Sequence, residues 1–166
     1  MMTTTALHMP VSALQPESEC IIRSLGDDDK TAQRLAQMGI LPGTHLRIIR
    51  IAPLGGTIEV TSSQGQSFAL RQQDVAAMTC DPVSMPLASE LVIVGQTYRV
   101  RILLGGKTFL RRMEKKGLRA GELVQIQKIG VKPIPIYIVD MDKQIELGEG
   151  EAKKIIIEVI SHGSLS

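Results

Sequence analysis

Aromatic residues are almost missing from this 166-residue chain, which has no Trp and only Phe68, Tyr98, Phe109 and Tyr137. That scarcity excludes recognition by ring platforms, whether for stacked bases or for proline helices held in an aromatic groove. Cysteine is nearly absent too. Cys20 and Cys80 are too few for a disulfide framework, and in a reducing compartment they are expected to stay thiols. No apolar run approaches the 18 or more residues that a spanning helix needs, and residues 1–11 lack the basic and apolar regions of an export signal, so a cytoplasmic address is expected. Neither sign of charge dominates. Lys and Arg total 19 against 17 Asp and Glu, a net of +2. Residues 1–89 carry six cations against eight acids, and residues 90–166 thirteen against nine. Neither half has the strongly basic field of a nucleic-acid binder, so nucleic acid is not an expected partner.

What the chain does have is a repeat, with a period of roughly 76 to 78 residues, within the range of small domains. The first copy reads Arg34-Leu-Ala-Gln-Met-Gly39-Ile-Leu-Pro-Gly43, followed by Leu46, Ile48 and Leu70. The second reads Arg112-Met-Glu-Lys-Lys-Gly117-Leu-Arg-Ala-Gly121, followed by Val124, Ile126 and Leu147. Met9-Pro10-Val11 is echoed by Met85-Pro86-Leu87, so the leading segment belongs to the first copy. Pro82 and Pro86 flank a polar joint between the two.

Both copies parse alike. In the first, a β-rich run over 20–25 precedes Asp27, Asp28 and Asp29, acids suited to a helix N-terminus. A helix over 28–38 is expected, with Gly39 as its left-handed cap. After Gly43 the pattern switches to period two, and an apolar run over 75–79 closes the copy. The second copy predicts strands over 98–103, 122–129, 134–139, 144–147 and 155–160. Its helix over 107–116 packs through Phe109, Leu110 and Met113. Five short strands interrupted by one helix fit a small, partly open β-barrel.

At Arg-x4-Gly-[Ile/Leu]-x2-Gly, followed by alternating strands and a Leu-bearing turn, the chain resembles the ferrous iron transport protein A family, twice in register. The family's arginine falls on Arg34 and Arg112, its glycines on Gly39 with Gly43 and Gly117 with Gly121, and its leucine on Leu70 and Leu147. The resemblance implies a mainly β chain of two tandem SH3-like barrels, over 9–82 and 83–161, each with one inserted α-helix. It also implies a non-enzymatic cytoplasmic accessory protein, peripheral to the membrane at most. The implied partner is the membrane-embedded B-type ferrous iron transporter, through its cytoplasmic GTP-binding domain. A similar domain ends some iron-responsive repressors. The alternative is therefore a metal-sensing regulator acting on a repressor or DNA.

The residues themselves carry little chemistry. Gly39 and Gly117 suit positive φ past a helix, and Gly43 and Gly121 suit a tight turn. Arg34 and Arg112 are expected to bond carbonyls at their own helix ends, with a partner contact as the other reading. Of the histidines, His8 and His162 lie near the termini, and His45 is replaced by Leu123 in the second copy. Gly105-Gly106-Lys107-Thr108 ends like a phosphate loop but lacks the upstream glycine, so it reads as a helix start.

The family is described as binding transition metal, here iron(II), yet no Cys-x-x-Cys or His-x3-His spacing is present. The candidate donors are Cys20 and Cys80, brought together as first and last strands, with His45 or Asp81 added. Their counterparts Tyr98 and Ile157 mark them as wall positions, so buried, inert thiols are expected instead. Lys107, Arg111, Arg112, Lys115, Lys116 and Arg119 face one acid, Glu114. They form either a solvated helical face or a docking patch for an acidic partner surface or an anionic leaflet. If the barrels bind peptide, strand addition or an aliphatic groove is the expected mode, because the aromatic ridge of proline-helix recognition is missing.

Overall fold

Leu46 and Ile48 alternate with Arg47 and Ile49 along β3 (His45–Ile51), and only the first pair is fully buried. The same period-two pattern builds most ladders of this mainly β protein, while the last strand buries Ile155, Ile156 and Ile157 in succession. The computed structural model describes residues 8–160, and the chain divides into two units between Val83 and Ser84.

In the first unit β1 (Met9–Pro10) pairs antiparallel with the start of β6 (Thr79–Pro86), Met9 opposite Cys80. β2 (Glu19–Ser24), β3, β4 (Thr57–Ser62) and β5 (Ser67–Arg71) form an antiparallel meander. Cross-strand pairs such as Cys20 with Leu46 and Ile58 with Leu70 face the core, where Leu35 from α1 (Asp29–Gln37) joins them. Asp28 caps α1 by accepting from the Thr31 N–H at 3.2 Å, as the acidic cluster predicts.

The second unit repeats this order. β7 (Tyr98–Leu103), β8 (Leu123–Ile126), β9 (Ile134–Ile138) and β10 (Lys143–Leu147) form the meander. β11 (Ile155–Val159) runs between β7 and residues 84–86. Phe109 and Met113 of α3 (Lys107–Lys116) close the core together with Tyr98, Ile136 and Leu147.

Both motif helices stop by the same device. Gly39 (φ +97°) and Gly117 (φ +90°) are left-handed, and the next residue's N–H reaches back to the helix, from Ile40 to Leu35 O at 3.0 Å and from Leu118 to Met113 O at 2.9 Å. Gly43 and Gly121 then donate to Ile22 O and Val100 O, each at 2.7 Å, which lashes the turn to the preceding strand.

Two expectations need correction. The run over 75–79 is not a strand, because 75–77 lie in a second helix, α2 (Gln72–Ala77), and β6 begins only at Thr79. The second unit likewise has α4 (Glu149–Ala152), so among the described residues each unit holds two α-helices and not one. The barrels are open, in keeping with the partly open barrel expected: β5 and β10 end the ladder order, each without a second ladder partner among the described residues. In the first unit α2 packs on β1, β4 and β5, and side-chain packing replaces a closing row of ladder bonds.

Candidate functional site

The motif arginines do not bond their own helix ends. Arg34 ion-pairs with Asp74, and Arg112 Nε donates to Glu151 Oε2 at 2.8 Å. Asp74 and Glu151 occupy the third position of α2 and α4. There each carboxylate also accepts the N–H at the start of its own helix, from Arg71 at 3.2 Å and from Gly148 at 2.9 Å. Each motif arginine thus ties the long helix to the short one. Neither acid was singled out in the sequence, although Arg71-x-x-Asp74 and Gly148-x-x-Glu151 recur in the repeat's register.

Partial burial works to raise the Glu151 carboxyl, but the Gly148 N–H, the Arg112 guanidinium and Lys116 outweigh it and hold it below the ordinary glutamate value. A depressed carboxylate adds stability above its unfolded pKa, about 4.3, and loses it as pH falls through the lower folded value. The melting temperature of the chain should therefore fall below about pH 4. Glu151→Gln should be less stable at neutral pH and titrate less steeply in that acid window. Equal acid slopes for the two proteins would refute this.

The six basic residues of α3 and its exit do not form one surface. Arg112 and Lys116 are turned to Glu151, and Lys116 Nζ also donates to Glu146 O at 2.6 Å. Lys115 and Lys116 border a recess with Lys143 and Glu146. Lys107, Arg111 and Arg119 border a different one, a groove of about 350 Å³ floored by Leu103, Leu110 and Leu118. Leu110 was expected in the core. Phe109 and Met113, four residues apart, take the inward face, and Leu110 stands about 100° further round the helix and is 40% exposed. Arg119 meets Glu114 at 3.6 Å, whereas Lys107, Arg111 and Lys115 form no ion pair among the described residues.

Cys20 and Cys80 are free, fully buried thiols that lie together. The Cys20 thiol is held far above the usual range by its hydrogen bond with Cys80, then by burial, and it stays protonated and unreactive. His45 does not join them. Cys20 stands opposite Leu46, and strand alternation puts His45 on the other face. Asp81, beside Cys80 in β6, is likewise on the alternate face and binds Arg23 and His8. Among the described residues no three His, Cys, Asp or Glu side chains gather to hold an ion, so the donor set does not fit iron(II). His162 lies outside the described residues. No helix among the described residues is long and apolar enough to cross a membrane.

Two small, mainly β units, each with an arginine latch between its two helices, make this a tandem-domain protein. The chain belongs to the FeoA family: the FeoA domain matches residues 9–82 and again 85–159. The family is associated with ferrous iron transport. The solution structure of iron(II) transport protein A from Clostridium thermocellum is similar at 29% identity and a TM-score of 0.53, covering 93% of this chain and 90% of that one. The FeoA of Stenotrophomonas maltophilia, solved with zinc and described as a procaryotic SH3 domain protein, is 26% identical with a TM-score of 0.39, over 44% of this chain and 89% of that one. IdeR of T. acidophilum is 20% identical with a TM-score of 0.41, over 48% of this chain and 36% of that one.

Proposed function

We propose that this chain is a non-enzymatic, cytoplasmic accessory protein of ferrous iron uptake that acts by binding the B-type ferrous iron transporter at its cytoplasmic GTP-binding domain. Membership of the FeoA family over both units supports the iron-uptake setting. The observation that carries the binding role is the exposed face of α3, where Lys107 and Arg111 stand without ion pairs among the described residues, beside apolar Leu110. Charged groups left free around an exposed aliphatic side chain suit a partner surface better than a stability role, since neither contributes to the fold.

The test is an anaerobic pull-down of the tagged full chain from its own detergent-solubilised membranes, with bound proteins identified and washes made with and without GTP and iron(II). Recovery of a polytopic GTP-binding iron transporter is the expected result. Membranes that yield no such transporter under any wash would overturn the proposal.

A further inference from the structure

The rim of the groove beside α3 differs between the two units. Aligned on Gly39 and Gly117, its residues Lys107, Leu110, Arg111 and Arg119 correspond to Asp29, Ala32, Gln33 and Leu41 in the first unit. The apolar anchor and all three cations are therefore replaced together at the equivalent surface. The buried positions beneath keep their character, Leu35 matching Met113 and Ile40 matching Leu118, so the difference is confined to the surface.

We infer that this groove is a docking site for an acidic peptide segment carrying a large aliphatic side chain, which seats on Leu103 and Leu110 while its flanking carboxylates meet Lys107, Arg111 and Arg119. This rests on the reading of the chain as a partner-binding protein, and not on which protein the partner is.

Three observations set the chemistry. Lys107, Leu110, Arg111 and Glu114 fall at i, i+3, i+4 and i+7 on α3, so apolar and charged groups share one helix face. The rim holds three cations against one acid, and two of those cations form no ion pair among the described residues, which selects a negative ligand. The apolar surface lies between the cations: Leu110 is 40% exposed and Leu103 half-buried, with the core residue Leu118 behind them. A side chain projecting from a peptide reaches that surface, whereas a flat anionic bilayer would meet the rim, Glu114 included, and leave the leucines uncovered.

The experiment selects a random peptide library displayed on phage against the full chain at low salt, then titrates the synthetic consensus peptide. One large aliphatic residue bordered by Asp or Glu is the expected consensus. Lys107→Glu with Arg111→Glu should weaken that peptide roughly tenfold or more, and added salt should weaken it for the unaltered chain. Asp29→Lys in the first unit should change nothing. Both rim residues are exposed, and circular dichroism of the double variant verifies that it folds. A basic or proline-rich consensus, no consensus, or an unchanged affinity for the double variant would overturn the site. So would capture of the chain by phosphatidylglycerol vesicles that the double variant abolishes while peptide binding persists, which would assign the face to the membrane. An acidic consensus with no transporter recovered from membranes would retain the groove and reject the transporter. A transporter recovered equally by the double variant would reject the groove alone.

Discussion

Arg34→Ala is expected to destabilise residues 9–82 by about 3 kcal/mol, and Arg112→Ala to cost residues 85–159 only about 1 kcal/mol, although the two arginines hold the same place in the repeat. The difference lies in what each leaves behind. Asp74 is 4% exposed, and once Arg34 is gone its buried carboxylate keeps the Arg71 N–H as its one partner among the described residues. Glu151 is 17% exposed and keeps both the Gly148 N–H and Lys116, at 2.9 and 3.6 Å. Breaking a buried pair from the exposed side strands an ion away from water, whereas breaking a half-wet one lets solvent and a second cation take over. Asp74→Asn should be milder than Arg34→Ala, because it removes the buried charge while keeping an acceptor for the helix N-terminus. Amide hydrogen exchange resolved by peptide reads each unit separately. Equal losses of protection in the two units would contradict this account.

Gly105→Ala should cost about 3 kcal/mol, while Gly106→Ala next to it should change stability by no more than about 0.5 kcal/mol. A Cβ on Gly105 would lie 2.2 Å from Phe109 Cδ2 and 2.6 Å from Cγ, whereas one on Gly106 meets nothing within 4 Å. Phe109 has little room to retreat. The residue is 5% exposed, with Arg112 Cζ 5.9 Å and Lys154 Nζ 5.3 Å from its ring centroid. Because Phe109 precedes Leu110 on α3, moving the ring would also disturb the groove floor. Urea denaturation measures the loss, and Gly105→Ala combined with Phe109→Leu should recover part of it by opening the space the new methyl needs. No recovery in the double variant would mean that the ring contact is not the cause.

Local pattern made the long elements readable. The helix expected over 107–116 is α3 to the residue, because Gly117 ends it and Phe109 with Met113 marks its inner face. The helix expected over 28–38 is α1 with its two caps counted in. The short helices escaped because six and four residues are too few for a helical period to show, and Val75 to Thr79 read as one apolar run. The face of His45 was legible in principle, since Leu46 and Ile48 already fix which side of β3 is buried.

The sequence by itself determined the duplication, the mainly β class, the motif helices and their glycine stops, for these depend on neighbours within a few residues along the chain. Only the tertiary structure decided which acid each motif arginine meets, about 40 residues away. It also decided that Leu110 looks outward, and that Lys107 and Arg111 form no ion pair among the described residues while Arg112 and Lys116 are taken up by Glu151. An ion pair or a groove is a meeting of side chains from separate elements. Its existence depends on the angle at which those elements pack, which no local periodicity encodes.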